Sequence, residues 1–335
     1  MSRRKIIQTA VICAAVLVIV LISYDTFFNK TAEREIFAMN TFVNARFSGK
    51  DSELALIQFE KMIRELDGNV LSRKNENSEL YAINSGSTKV MSDKMAGYLS
   101  VVFDIADRSG GKFDPTLGAV SDLWGFGTLP HLPDAEKIKK ALNETGFEKV
   151  AISGNSIEKG SSGMIIDLGS AGKGIALDET KALLREIRLK KAVVSVGGSI
   201  LLYGDKSFTV GIRDPKGNSG AYIITLETGA ACVSTSGSYE QCFSENGKTY
   251  HHILDPDTGY PVENGLVSVT VVSDSGIMSD ILSTACFVLG TEKGMKLAED
   301  CGCEAIFVSA DKKISASDGI RGSLKITDKS YSFAE

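Results

Sequence analysis

The chain has 335 residues, of which 43% are hydrophobic, enough to bury a sizeable core and too many for a disordered or low-complexity protein. Its 33 glycines and 6 prolines follow no collagen-like period and imply many turns. A formal charge of −5, with Lys and Arg scattered singly among acids, argues against nucleic acid as a partner.

Arg3, Arg4 and Lys5 precede a nearly uncharged run from Ile6 to Tyr24. Its 19 residues, at helical rise, just span a bilayer. The following Tyr24-Asp25-Thr26-Phe27-Phe28 lacks a small-x-small cleavage site, so the run reads as an uncleaved anchor, with a cleaved signal peptide as the rival. Ala10-Val11-Ile12 before Cys13 is a poor lipobox. Basic residues kept inside place the remainder on the extracytoplasmic side of the cell membrane. The chain then divides into a membrane anchor over 1–24, a juxtamembrane linker over 25–35 and one composite domain over 36–335.

Within that domain, Glu35 to Phe47 reads as a first strand carrying Met39-Asn40-Thr41. Asp51 to Leu66 has Ala55, Phe59, Met62, Ile63 and Leu66 on one helical stripe. Further helices are expected at Lys94 to Arg108, Ala135 to Leu142 and Ile175 to Ile187, and strands at Ala192 to Val196, Leu266 to Val272 and Glu304 to Ser309. Helices and strands mix without βαβ alternation, which favours an α+β fold of mixed sheets and helices over a doubly wound sheet.

Ile277 to Leu289 reads as an apolar helix ended by Gly290, with Asp280 and Thr284 four apart on one face. The five cysteines after Cys13 form no disulfide framework. Cys301-Gly302-Cys303 lacks zinc spacing, Cys286 reads as a buried thiol, and a Cys232–Cys242 bridge stays open.

Several segments have the composition of a site. His251-His252-Ile253-Leu254 reads as a short strand leading to the turn Asp255-Pro256-Asp257-Thr258-Gly259; strand alternation sends only one imidazole to a given face. Gly110-Gly111-Lys112-Phe113-Asp114 reads either as an exposed aromatic and an acid between glycines, or as a turn beside a packed Trp124. Asp167-Leu168-Gly169-Ser170-Ala171-Gly172-Lys173-Gly174 leads from a strand end into a helix, as phosphate-binding loops do, although its spacing is not that of a Walker A loop. Ser195-Val196-Gly197-Gly198-Ser199 is either a tight turn or a place of close approach to a ligand.

In order, MNT from Met39, the Ser72–Asn84 run SRKNENSELYAIN, GGKFDPTLG, LWGFG, DLGSAGKG, SVGGS, STSGSYE, HHILDPDTGYP and SDILSTA strongly resemble the ApbE-type FAD:protein FMN transferases, over nearly all of the chain beyond the apolar segment. The resemblance implies a transferase that splits FAD and attaches FMN through its phosphate to a threonine of a target flavoprotein, with Mg²⁺ and release of AMP. It implies Mg²⁺ ligands at Asp280, Thr284 and the backbone carbonyl of Ser170. FAD contacts would come from Met39 beside the flavin, Phe113 and Asp114 with neighbouring Lys112 at the adenine end, Asp167 on the adenosine part, and Lys173 on a phosphate or ribityl oxygen. Where many relatives carry Tyr, this chain has Arg73-Lys74, so a cation such as Lys74 stands in for a stacking ring. His252 is the expected general base, with an FAD contact as its alternative role. Ser234, Thr235, Ser236 and Gly237 are expected to offer a surface to target peptide or flavin. By family analogy the acceptors are subunits of Rnf-type or Nqr-type complexes, or extracellular electron-transfer flavoproteins. An FAD pyrophosphatase and a non-enzymatic FAD carrier are the competing functions.

Overall fold

The computed structural model describes residues 30–215 and 220–334. The apolar segment expected to anchor the chain lies outside them; among the described residues no helix is long and apolar enough to cross a membrane. The strands are β1 Thr31–Ala38, β2 Thr41–Ser48, β3 Val150–Ser153, β4 Ser156–Lys159, β5 Lys191–Val196, β6 Ser199–Tyr203, β7 Phe208–Arg213, β8 Tyr222–Thr228, β9 Ala231–Gly237, β10 Cys242–Glu245, β11 Lys248–His251, β12 Leu266–Ser273, β13 Glu304–Ser309, β14 Lys313–Ala316, β15 Leu324–Ile326 and β16 Ser332–Phe333. The helices are α1 Ser52–Glu65, α2 Glu79–Ser85, α3 Asp93–Arg108, α4 Gly118–Trp124, α5 Ala135–Asn143, α6 Gly172–Ile187, α7 Gly276–Leu289, α8 Thr291–Asp300 and α9 Asp318–Arg321.

A nine-stranded sheet runs β1-β2-β5-β6-β9-β12-β13-β14-β16, antiparallel except for the final pair. Its centre is covered on both faces. Val269 and Val271 of β12 join the core built with α6 and α7, while Val272, Ile306 and Val308 pack with the small sheet β15-β8-β7. Residues of β12 are therefore buried without alternation, whereas β7, covered on one face, alternates strictly. The mixed α+β architecture expected from the sequence is the one observed.

The helices expected at 94–108, 135–142 and 277–289 match to within one residue at each end, since their apolar stripes are strong. Three expectations need correction. The single strand over 35–47 is a hairpin, turned at Met39 and Asn40 with φ of 53° and 58°. No Gly or Pro marks the turn in the sequence, although the inward face switches there from Ile36 and Ala38 to Val43 and Ala45; positive φ at both central residues is what a type I′ two-residue hairpin demands. The folded body begins at Thr31, so residues 31–35 belong to an edge strand and not to a linker. Cys232 and Cys242 are both free thiols, one buried and one exposed, so they form no bridge.

Trp124 is fully buried among Phe126, Phe243, Tyr250 and Tyr260, and its indole Nε1–H donates to the Gly259 carbonyl at 2.8 Å. This ties α4 to the turn after His252. Replacing Trp124 with Phe leaves that carbonyl unpaired and opens a void, at an expected cost of about 2–4 kcal/mol in urea unfolding. A change below about 0.5 kcal/mol would show that the indole does not hold the turn.

Candidate active site

One open cavity of about 1100 Å³ lies between the end of the β1–β2 hairpin, the loop before α6, the face of α7 and the turn after β11. The eleven residues expected to hold FAD or the metal, or to act as the general base, line it: Met39, Lys74, Lys112, Phe113, Asp114, Asp167, Ser170, Lys173, His252, Asp280 and Thr284. They come from six separate stretches of chain, so the convergence is a property of the fold.

The α6–α7 crossing sets the wall that bears Asp280. Gly174 and Gly276 meet there so closely that a Cβ on Gly174 would lie 2.2 Å from the Gly276 carbonyl oxygen. Asp178 reinforces the crossing by accepting from the Gly276 and Ile277 amides, at 2.7 and 2.9 Å, and from the Ser275 hydroxyl. A carboxylate at this helix N-terminus satisfies otherwise orphaned donors.

One turn into α7, Asp280 is 3% exposed. Its Oδ2 accepts from the Gly174 amide at 2.9 Å and its Oδ1 from the Ser199 hydroxyl at 3.0 Å, while Lys173 Nζ stands 4.0 Å away. Burial raises its pKa, and Lys173 opposes that rise. Thr284 shares the face as its spacing requires.

His252 and His251 divide as strand alternation predicts, although the strand ends at His251 and not at Leu254. His251 is structural: Nε2 donates to the Val262 carbonyl at 3.0 Å, leaving Nδ1 to accept from the Ile253 amide. His252 faces the cavity with a buried Nδ1 that has no partner. Burial, then Lys173 and His251, push its pKa down to about 4. It is therefore neutral at pH 7.

That shift has a stability consequence. Between the ordinary value of 6.5 and about 4 the unfolded chain binds a proton that the folded chain refuses, so this residue makes stability fall as pH drops through that window. The loss amounts to at most about 3 kcal/mol. Urea midpoints at pH 4.5 and 6.5 should differ more for the wild type than for His252→Asn; equal differences would refute the buried neutral imidazole.

Other expected ligands line the cavity with their charge already engaged. Lys112 Nζ reaches Asp257 at 2.5 Å and Asp255 at 3.4 Å. Asp114 Oδ1 accepts from the Thr116 amide and hydroxyl, and Oδ2 from the Phe147 amide, so its carboxylate shapes the loop. Phe113 is 4% exposed, which corrects the exposed-aromatic alternative for that segment. Arg73, more than Lys74, is built into the wall: it pairs with Asp122 at 2.7 Å and Asp167 at 3.0 Å, whereas Lys74 lies 3.8 Å from Asp122 and is largely exposed.

The 234–237 segment is not wholly a surface. Ser234 is fully buried against Ser279, and Ser236 bonds Ser283 and Thr284, although Thr235 and Ser236 also line the cavity. Residues given no role from the sequence include Asp178 and Glu240, and Ser199, named only within the Ser195–Ser199 run, turns out to bond Asp280. Glu240 is a fourth cavity carboxylate beside Asp114, Asp167 and Asp280, its pKa raised by burial against the opposing pull of Lys173. It stands in the STSGSYE run, whose order carried the only available signal.

The ApbE family profile matches residues 39–307. A protein of Treponema pallidum named FAD:protein FMN transferase is 35% identical over 286 residues, covering 78% of this chain and 79% of that protein. Among solved structures, the ApbE protein of Thermotoga maritima superposes with a TM-score of 0.79 at 29% identity, covering 87% of this chain and 98% of that one. The flavin transferase ApbE from Vibrio cholerae gives 0.78 at 25% identity, covering 88% and 99%. The motif order, the fold and the profile agree, and the chain belongs to the ApbE family.

Proposed function

We propose that the chain is an Mg²⁺-dependent FAD:protein FMN transferase that moves FMN from FAD to a threonine of a partner flavoprotein and releases AMP. The observation that carries this is the convergence of the eleven residues expected as FAD contacts, metal ligands or base on one cavity large enough for a dinucleotide. The activity named for the Treponema pallidum relative supports it.

Asp280, Thr284 and the Ser170 carbonyl make an oxygen-only donor set, the chemistry that suits a hard divalent cation. Asp280 adds a second sign of fit: a fully enclosed carboxylate whose nearest cation is a single ammonium at 4.0 Å retains charge that a metal would offset. Bound there, Mg²⁺ would neutralise charge on the phosphoryl oxygens.

The chain's own residues do the rest. Lys173 supplies a fixed positive charge beside the phosphates. His252, whose imidazole is neutral at pH 7, takes the threonine proton as the Oγ–P bond forms and the P–O bond to AMP breaks. Its low basicity means that the proton moves only once bond formation has made the hydroxyl acidic. Arg73 holds Asp167 in place for the adenosine part, and Met39, at the turn of the hairpin, lies against the flavin. The acceptors fitting this reading are extracytoplasmic flavoproteins of Rnf-type or Nqr-type complexes or extracellular electron transfer, reached by an enzyme held at the membrane through its N-terminal segment.

The full chain incubated with FAD and a threonine-containing acceptor domain should release AMP with Mg²⁺ and none with EDTA. FAD binding without AMP release in Mg²⁺ would overturn the reading in favour of a carrier.

A further inference from the structure

A ladder of hydroxyls joins β9 to α7 beneath the proposed cation site. Ser234 meets Ser279 at 2.8 Å and Ser236 meets Ser283 at 2.7 Å. The match is geometric: two residues of strand advance about 6.6 Å and four residues of helix about 6.0 Å, so alternate strand positions meet successive helical turns. Ser236 also reaches Thr284 Oγ1 at 3.0 Å.

Each hydroxyl has one proton, so the direction of this chain can be counted. Ser283 donates to the Asp280 backbone carbonyl at 2.8 Å. Its proton is spent, so the Ser236–Ser283 bond must be donated by Ser236. Ser236 is then spent too, and the bond to Thr284 must be donated by Thr284. The order is Thr284 to Ser236 to Ser283 to the Asp280 carbonyl. It leaves Thr284 Oγ1 with no proton for a ligand and with lone pairs directed away from Ser236. On the neighbouring strand, Ser199 donates to Asp280 Oδ1, leaving that carboxylate's remaining lone pairs for a cation.

We propose that Ser236 is a positioning residue of the cation site, which takes the Thr284 proton so that this hydroxyl acts only as an electron-pair donor to a divalent metal. The inference rests on the cation site of the preceding reading and adds a residue to it. Groups that orient a metal ligand in this way are typically worth 10- to 100-fold in affinity.

The test is Mn²⁺ binding to the full chain, read by electron paramagnetic resonance and calorimetry without FAD. Ser236→Ala should weaken Mn²⁺ binding about 10- to 100-fold, with Ser236→Thr restoring it to within about threefold. Thr284→Ala should weaken it comparably, and Ser236→Ala/Thr284→Ala should be no weaker than Thr284→Ala alone, because the serine acts through the threonine. Melting in EDTA checks folding; if Ser236→Ala is unfolded there, Ser236→Cys replaces it, keeping the side chain's size with a poor acceptor. Wild-type affinity in Ser236→Ala or its folded substitute, or additive losses in the double variant, would overturn the proposal. A wild-type chain that binds no divalent cation would overturn the cation site as well.

Discussion

Asp280→Asn is expected to lower Mg²⁺-dependent AMP release about 10³-fold while leaving the metal-free protein as stable as the wild type or more so. The loss follows from removing the sole carboxylate of the proposed donor set; a metal contributes several kcal/mol to charge stabilisation, and 10³-fold is about 4 kcal/mol. The stability effect has its own sign. Burial holds the folded pKa of Asp280 above its ordinary 3.8, so ionising it above that pH costs folding free energy, and the cost grows as pH rises. An amide removes the charge and keeps one oxygen for the Gly174 amide or the Ser199 hydroxyl. Thermal melts in EDTA at pH 5 and 8, beside AMP assays in Mg²⁺, separate the two effects. Turnover within about tenfold of wild type would remove Asp280 from the metal site; a metal-free loss above about 2 kcal/mol would mean that its charge holds the fold.

Gly174→Ala is expected to be among the most damaging single-methyl changes in the chain. The added carbon would stand 2.2 Å from the Gly276 carbonyl oxygen and 2.7 Å from the Asp280 Cβ, both in rigid surroundings. Relief requires α6 and α7 to separate, which withdraws the Gly174 amide from Asp280. The cost should reach about 3 kcal/mol, the upper end for overpacking, with cation binding lost in whatever protein remains folded. Gly229→Ala is the control: no heavy atom lies within 4 Å of its Cβ position, and its stability should change by less than about 0.5 kcal/mol. Equal stabilities for the two variants would show that the crossing is not close-packed.

The parts of this molecule legible in the sequence are those governed by local rules. The stripe of α3 and the apolar length of α7 placed both helices, and the four-residue step from Asp280 to Thr284 put both on one cavity face. The Met39–Asn40 turn was hidden because it carries neither Gly nor Pro, although the inward face switches there from Ile36 and Ala38 to Val43 and Ala45. Strand alternation separated the roles of His251 and His252, yet the strand ended a residue before His252 because the Asp255–Gly259 turn draws the chain away. Long-range polar partners were illegible for a different reason. Lys112 with Asp257, Arg73 with Asp167 and Ser236 with Thr284 are paired across 145, 94 and 48 positions, and only the tertiary fold fixes who meets whom.

The most direct measurement of the central claim is mass spectrometry on an acceptor. The full chain is incubated with FAD, Mg²⁺ and a threonine-containing acceptor domain, and acceptor mass is followed beside released AMP. A gain of one FMN less water, lost when the acceptor threonine is replaced by alanine and matched by an equal amount of AMP, is the predicted result. AMP with free FMN and an unmodified acceptor would contradict transfer and make water the acceptor at this site.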